Sequence, residues 1–180
     1  MKYINTSIPG LWIIEPVLFN DQRGYFAEIY KREEFNRHVG AVDFIQDNES
    51  KSSFGVLRGL HYQEGEAAQA KLVRVTQGAV LDIVVDLRAV SPHFGQSFMI
   101  ELSEDNKRQL FIPRGFAHGF LVLSQSSLIN YKVDNAYAPD AERTLNFFDP
   151  GLNIQLPIEQ SELILSDKDR NGLLLKDIIS

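Results

Sequence analysis

Short runs of β-forming residues, separated by turn residues, dominate the pattern of hydrophobic and polar positions along the chain. In KLVRVT (residues 71–76) the first, third and fifth residues fall on one face and the second and fourth on the other. Such a period of two is typical of a half-buried strand. The same reasoning predicts strands at Leu11–Val17, Gly24–Tyr30, Val42–Gln46, Gly55–Gln63, Lys71–Thr76, Ala79–Asp86, Gln96–Leu102, Arg108–Ile112, Gly119–Leu123, Ser127–Val133 and Arg143–Phe148. This spacing of strands favours a sandwich or barrel over an alternating βα fold.

Helical patterns are few. Arg32–Val39 predicts about two turns of helix, because Phe35 and Val39 lie four residues apart on one face. The tail from Ile158 to Ser180 mixes polar turns with apolar residues and predicts short peripheral helices. We find no repeat, low-complexity stretch or Pro/Ser-rich linker, and we therefore expect one domain over residues 1–180.

Composition excludes several classes of protein. The chain of 180 residues is 44% hydrophobic and 23% charged, with a net charge of −6 and no cysteine. This balance argues against disorder and against a dedicated nucleic-acid binder, which normally carries a basic face. No apolar run reaches the roughly 20 residues that a membrane helix needs, and the first residues lack the apolar core of a signal peptide. We expect a cytoplasmic protein with neither a membrane nor a nucleic acid as partner.

Two segments combine histidine, arginine and glycine within strand-like sequence. The first, residues 56–63, contains Arg58 and His61, and the second, residues 112–119, contains His118. The spacing Pro-x-Gly-x-x-His in the second segment resembles a motif of the cupin superfamily. Members of that superfamily fold as a double-sheet jelly roll, so the resemblance implies an all-β, cupin-like jelly roll with short peripheral helices.

The first segment departs from metal-binding cupins. Those proteins carry a second histidine two positions after the first, whereas this chain has Gln63 two positions after His61. Stable metal sites usually have three or four protein ligands. Lys71 is also close in sequence, and its ammonium would compete with a cation. We expect a pocket with no metal and no cofactor, and a metal-dependent cupin oxygenase or isomerase remains an alternative.

A longer set of motifs is more specific. It comprises FNDQRGYFAEIY (19–30), FIQDNESKSSFGVLRGLHYQ (44–63), the segment 91–124 with IPRGFAHGF, YAP (137–139) and LSDKD (165–169). In order and spacing these resemble the dTDP-4-dehydrorhamnose 3,5-epimerase family from about residue 9 to residue 171. Enzymes of that family invert C3 and C5 of dTDP-4-dehydro-6-deoxy-D-glucose on the way to dTDP-L-rhamnose. Both carbons flank the C4 ketone, so the implied chemistry is proton abstraction and return without a redox cofactor.

The resemblance implies a role for each matched polar residue. His61 matches the general base, and histidine is the side chain that most readily exchanges a proton near neutral pH. Asp169 matches its partner, which orients the imidazole and stabilises the imidazolium. Tyr131 matches the acid that returns a proton to the opposite face. Lys71 would stabilise the negative charge that develops on the C4 oxygen.

Other matched positions are expected to bind substrate. The diphosphate candidates are the cationic side chains, since these suit phosphate oxygens; they are Arg23, Arg58 and Lys168. Candidates for hydrogen bonds to the sugar or nucleotide are Glu28, Gln46, Asp47, Asn48, His118 and Glu142. In the family the loop that matches Arg23 is supplied across a dimer interface, and the resemblance therefore implies a homodimer.

Strand alternation raises one difficulty. Arg58 and His61 lie three residues apart, so a regular strand would direct them to opposite faces of the sheet. Both can serve one pocket only if the strand is irregular between them. Because glycine suits a bulge, we predict an irregularity near Gly59 or an Arg58 that reaches the ligand around an edge.

Taken singly, these residues also have ordinary structural explanations. Tyr131 shares a strand face with apolar neighbours and could pack in the core. Asp169 could cap a turn or helix, and Lys71 could be a solvated charge on a strand. Four functional alternatives remain: an epimerase acting at C3 or C5 alone, a ketoisomerase, a non-catalytic sugar-nucleotide-binding cupin, and the metal-dependent cupin.

Overall fold

Two antiparallel β-sheets pack face to face in this protein, for which the computed structural model describes residues 1–178. The strands are β1 (Lys2–Asn5), β2 (Trp12–Glu15), β3 (Leu18–Asp21), β4 (Gly24–Ala27), β5 (Gln46–Ser53), β6 (Leu57–Gln63), β7 (Lys71–Gln77), β8 (Ala79–Asp86), β9 (Ser97–Ser103), β10 (Gln109–Ile112), β11 (Phe116–Val122), β12 (Ser126–Val133) and β13 (Glu142–Thr144). One sheet has the strand order β1-β2-β10-β7-β12-β5, and the other has β13-β6-β11-β8-β9. The predicted all-β, double-sheet architecture is confirmed.

Three apolar clusters hold the layers together. Between the sheets, Val73 of β7 packs in one cluster with Val84 of β8. On the outer face of the six-stranded sheet, Phe35 from helix α1 (Arg32–His38) forms the centre of a second cluster. On the outer face of the five-stranded sheet, Leu121 packs with Leu163 of the C-terminal segment. Burial of these side chains supplies the main driving force for folding, at about 25 cal/mol per Å² of apolar surface.

The two α-helices of the described residues lie where the sequence predicts helix, whereas the 3₁₀ turns Gly65–Ala67, Pro139–Ala141 and Pro150–Leu152 are not predicted. The predicted helix Arg32–Val39 ends one residue early, at His38. The C-terminal tail contains α2 (Asp167–Arg170) and two 3₁₀ turns, Gln160–Glu162 and Leu175–Asp177. Residues 179 and 180 of the predicted tail lie outside the described residues. Among residues 1–178, no helix is both long and apolar enough to cross a bilayer.

The prediction of a strand at Val42–Gln46 is wrong. The strand begins at Gln46 and runs through polar residues to Ser53, while Val42 and Phe44 pack against the cluster around Phe35. Strand β5 forms an edge of its sheet, and all eight of its residues pair with β12. Backbone hydrogen bonds to β12 therefore define β5, and apolar periodicity does not mark a strand of this kind.

A two-stranded hairpin, β3–β4, stands apart from both sheets. Its aromatic side chains are mostly in solvent, with Phe19 59%, Tyr25 52% and Phe26 66% exposed. The turn of the hairpin carries Arg23, which forms an ion pair with Asp21 of the same turn. The hairpin thus presents an apolar surface and a cation that the rest of the chain does not cover.

The predicted irregularity at Gly59 is confirmed. In the pairing of β6 with β11, His61 lies opposite His118 while Arg58 lies opposite Phe120, so β6 contains one extra residue between them. Gly59 adopts a φ of 122°, and a Cβ there would lie 2.5 Å from the Cα of Gly119. The bulge resets the alternation of β6, which allows Arg58 and His61 to share the face towards the other sheet.

Candidate active site

A cavity of about 310 Å³ opens at the end of the sheets near the start of β7. It draws side chains from five strands and from the loops that precede β7 and β13. The lining residues are Gln46, Asn48, His61, Tyr62, Gln63, Gln69, Lys71, Tyr131, Tyr137 and Glu142. We call this cavity the site pocket. Six of the residues predicted from the sequence line it, namely Gln46, Asn48, His61, Lys71, Tyr131 and Glu142.

His61 and Asp169 form a hydrogen-bonded pair at the site pocket. The Nε2 atom of His61 lies 2.6 Å from Oδ1 of Asp169, although the two residues are 108 positions apart in sequence. The imidazole is 31% exposed, whereas the Asp169 side chain is 5% exposed. With Nε2–H directed at the carboxylate, Nδ1 is the ring nitrogen that is left to accept a proton.

Helix α2 holds the carboxylate of Asp169 in place. Ser166 is the N-cap of the helix, and its hydroxyl accepts a hydrogen bond from the Asp169 N–H and donates one to Oδ2 at 2.8 Å. Burial alone would raise the pKa of Asp169, but hydrogen bonds from His61, Ser166 and the Gly59 backbone and the charge of His61 lower it. Asp169 is therefore ionised at neutral pH and can stabilise a protonated His61.

Lys71 and Tyr131 bring two further proton-bearing groups to the same pocket. Burial lowers the pKa of Lys71 to about 8, against the opposing effect of the Asp82 and Glu142 carboxylates. Burial also raises the pKa of Tyr131, as does Glu142, while the Arg58 charge partly offsets the rise. At neutral pH the lysine is mainly a cation and the tyrosine keeps its proton, so these two residues bring a positive charge and a hydroxyl donor to the pocket.

His118 lies next to His61 across the strand pair and is bound within the protein. Its Nε2 atom lies 2.9 Å and 3.1 Å from the two carboxylate oxygens of Asp82, and both side chains are buried. Sequence reasoning missed Asp82, although an acidic residue inside the apolar run AVLDIVVD indicates a buried carboxylate. A buried carboxylate needs a partner, and here the partner is His118.

The mouth of the site pocket is polar. Glu142 accepts a hydrogen bond from the Tyr137 hydroxyl at 2.8 Å and forms an ion pair with Lys168 at 2.5 Å. Burial would raise the pKa of Glu142, but hydrogen bonds from Lys168 and Tyr137 and the charges of Lys168 and His61 lower it. The carboxylate is therefore ionised and links the α2 segment to the loop that contains Tyr137.

The remaining predicted binding residues divide into two groups. Near the site pocket, Arg58 donates from Nε to Ser52 at 3.0 Å, and its charge acts on Tyr131. Asp47 is exposed and forms an ion pair with Lys132 beside a separate cavity of about 450 Å³. Arg23 and Glu28 are also exposed, and neither they nor Asp47 line the site pocket of their own chain.

The usual metal-binding side chains do not cluster in the part of the chain that the structure describes. Within residues 1–178, no group of three or more histidine, cysteine, aspartate or glutamate side chains is placed to hold a metal ion. Gln63, which stands at the position of the second histidine of metal-binding cupins, directs its amide to backbone groups of two loops.

Comparison with known proteins gives one consistent family. The sequence profile described as dTDP-4-dehydrorhamnose 3,5-epimerase matches residues 5–177. The dTDP-4-dehydrorhamnose 3,5-epimerase of Shigella flexneri is 49% identical over 173 residues, 96% of this chain and 94% of that protein.

Two solved structures agree in fold as well as in sequence. The dTDP-4-dehydrorhamnose 3,5-epimerase of Elizabethkingia anophelis is 48% identical with a TM-score of 0.95, covering 98% of this chain and 97% of that one. A dTDP-6-deoxy-D-glucose-3,5-epimerase of Legionella pneumophila, in complex with dTDP-4-keto-L-rhamnose, is 45% identical with a TM-score of 0.93, covering 97% and 93%. This chain belongs to the dTDP-4-dehydrorhamnose 3,5-epimerase family.

Proposed function

We propose that this chain epimerises dTDP-4-dehydro-6-deoxy-D-glucose at C3 and C5 to dTDP-4-dehydro-L-rhamnose, in the cytoplasm and without a cofactor. The observation that carries the proposal is the arrangement of one pocket, where the His61–Asp169 pair lies with Lys71 and Tyr131. A base, a cation and a hydroxyl donor around one cavity are what two inversions next to a ketone require.

The first step is removal of a proton by His61. Nδ1 takes the proton from C3 or C5, and the electrons of the C–H bond pass into the C4 carbonyl to give an enolate. Asp169 accepts the Nε2–H at 2.6 Å, which fixes the tautomer and stabilises the imidazolium that forms. The substrate is neither oxidised nor reduced, because the C4 oxygen regains its double bond in the second step.

Lys71 and Tyr131 act on the enolate. The Lys71 ammonium stabilises the charge on the C4 oxygen, and a preorganised group of this kind typically contributes about 3–4 kcal/mol. Tyr131 then donates its hydroxyl proton to the face of the carbon opposite His61. Since burial raises the pKa of Tyr131, the hydroxyl is protonated before the reaction. Delivery of this second proton from the opposite face inverts the configuration. His61 then releases its proton to solvent and Tyr131 takes one from solvent before the other carbon reacts.

Proton NMR of dTDP-4-dehydro-6-deoxy-D-glucose in deuterium oxide tests this function. We expect deuterium at both C3 and C5 with the wild-type chain, and at neither carbon with His61→Ala. His93→Ala is the matched control, because His93 bonds Gln96 in a loop away from the pocket and its loss leaves exchange unchanged. Exchange at one carbon alone would replace the proposal with a single-site epimerase. No exchange with substrate bound would replace it with a binding cupin.

The homodimer is part of the proposal. Its support is the β3–β4 hairpin, which exposes Phe19, Tyr25 and Phe26 and carries Arg23 outside the site pocket of its own chain. A second copy offers these aromatic side chains a surface to pack against and brings Arg23 to a neighbouring site. We therefore assign the diphosphate contact of Arg23 to the partner's pocket.

Mixing two inactive variants tests the exchange of Arg23. If Arg23 acts across the interface, a dimer of one Arg23→Ala copy and one His61→Ala copy contains one intact site. Co-refolded equal mixtures should then regain about a quarter of wild-type activity, since half of randomly paired dimers are mixed and each has one intact site. If Arg23 acts within its own chain, the mixture stays inactive. A monomer in light scattering would also refute the dimer.

A further inference from the structure

Two loops form one wall of the site pocket, and side chains join them to each other. The first loop, residues 64–70, follows β6, and the second loop, residues 134–141, precedes β13. The Gln69 amide donates to the Asn135 carbonyl at 2.8 Å, and the Asn135 amide donates to the Glu66 carbonyl at 2.8 Å. The backbone N–H of Glu64 also donates to the Ala141 carbonyl at 3.0 Å.

Gln63 makes the most complete of these connections. Its Nε2 donates to the Ala67 carbonyl at 2.6 Å and to the Ala136 carbonyl at 3.1 Å, while its Oε1 accepts from the Ala138 N–H at 2.7 Å. Both amide hydrogens and the amide oxygen are therefore engaged. Gln63 is only 7% exposed, so water cannot readily replace these partners.

The residue between the two anchored positions is Tyr137. Gln63 holds Ala136 on one side of it and Ala138 on the other, whereas the Tyr137 side chain is itself 59% exposed. The Tyr137 hydroxyl donates to Glu142, which lies directly opposite Gln63 in the β6–β13 pair. Packing contributes little to the position of the ring, so its backbone anchors and the Glu142 contact determine where it stands.

We propose that Gln63 is a positioning residue that acts through Tyr137 and sets the substrate affinity of the site pocket. The proposal rests on the proposed function. Gln63 holds the loop so that the ring of Tyr137 closes one side of the mouth. His61 shares β6 with Gln63 but bonds a different element, because its partner Asp169 lies in α2, whereas the Gln63 amide bonds the two loops. Binding of the nucleotide sugar depends on Gln63, and proton transfer does not.

The test compares Gln63→Met with Asn135→Leu. Methionine keeps the length of glutamine but has no amide, so Gln63→Met removes all three hydrogen bonds. Asn135→Leu removes the bond to the Glu66 carbonyl between the same two loops, from a side chain that does not line the site pocket. For Gln63→Met we expect the KM of the sugar nucleotide and the calorimetric Kd of dTDP to rise about tenfold, with kcat within about twofold of wild type. For Asn135→Leu we expect all three values within about twofold.

A double variant separates positioning from a general structural effect. If Gln63 acts through Tyr137, the Kd of dTDP for Gln63→Met/Tyr137→Ala equals that for Tyr137→Ala alone. Additive losses, an equal effect of Asn135→Leu, or a fall in kcat at unchanged KM would each overturn the proposal. If Gln63→Met does not fold, Gln63→Glu keeps the Ala138 bond, and the proposal then requires that its loss of dTDP affinity disappear in the Tyr137→Ala background. Absence of deuterium exchange in the wild-type chain would instead refute the proposed function.

Discussion

Asp169→Asn removes the charge from the partner of His61 while preserving its shape. The amide oxygen can still accept the Nε2–H of His61, and the Ser166 hydroxyl can rotate to accept from the new amide nitrogen. The variant therefore keeps the tautomer and loses the electrostatic stabilisation of the imidazolium. The carboxylate is only 5% exposed, so water does little to screen it in the wild type.

The magnitude follows from the distance. The hydrogen bond of 2.6 Å places the two charge centres roughly 4 Å apart, where an effective dielectric of about 20 gives about 4 kcal/mol. Since about 1.4 kcal/mol corresponds to a factor of ten, a fully formed imidazolium in the transition state would cost about a thousandfold in rate. With the imidazole 31% exposed to solvent, we expect kcat to fall about a hundredfold, and KM to change less than about threefold.

The assay is the initial rate of deuterium incorporation at C3 and C5, measured by NMR. Asp167→Asn is the matched control, because Asp167 is an exposed carboxylate two residues away in the same helix. A fall of less than about threefold in kcat would refute the role of Asp169 as the charged partner of the base.

The lowered pKa of Asp169 adds a second readout, the stability of the fold. The ionised carboxylate stabilises the folded protein at neutral pH, and this contribution is lost as pH falls through the pKa of Asp169 in the folded state. The stability difference between wild type and Asp169→Asn should therefore close below about pH 4.

Two further predictions concern Lys71 and the bulge. Lys71→Met should lower kcat by about two to three orders of magnitude. Because burial lowers the pKa of Lys71 to about 8, wild-type kcat/KM should fall as pH rises through 8. A steady-state pH profile in which Lys71→Met keeps this fall would contradict the role of the Lys71 ammonium. Gly59→Ala should destabilise the protein by about 3 kcal/mol or more in urea unfolding, since its Cβ meets backbone. Gly40→Ala, at a similar φ of 117° but with open space around its Cβ, should cost about 1 kcal/mol, and equal losses would disprove the steric argument.

The fold was predictable wherever apolar alternation reports burial. Strands β7 and β8 contribute to the core between the sheets, and the sequence predicts both within one residue of their observed ends. Strand β5 was not predictable in this way, because its partner β12 holds it through the backbone while its side chains are polar and most of them are exposed. The apolar residues before it, Val42 and Phe44, cover the outer face of the sheet, and local pattern alone does not distinguish that use from a strand.

Some residues of the candidate site could also be predicted from the sequence, and others could not. Motif resemblance predicted His61, Lys71 and Tyr131, which line one pocket, and strand parity at Gly59 predicted the irregularity that places Arg58 on the side of His61. Asp82 was missed although it lies inside the apolar run AVLDIVVD, because its partner His118 is 36 residues away in the sequence. The anchoring role of Gln63 was equally hidden, since its partners are backbone groups and carry no sequence signal.

The contact between Gly59 and Gly119 limits how this protein can change by mutation. A Cβ on Gly119 would lie 2.4 Å from the Arg58 carbonyl and 2.6 Å from the Phe147 ring, so neither glycine can be replaced without moving the strand that carries His61. The pocket mouth has no such restriction, because Tyr137 and Lys168 extend from loop and helix into solvent. Under selection for a new nucleotide sugar, substitutions should therefore accumulate at the mouth. A mutant library directed there should retain more folded members than one directed at Gly59, Gly119 and their neighbours.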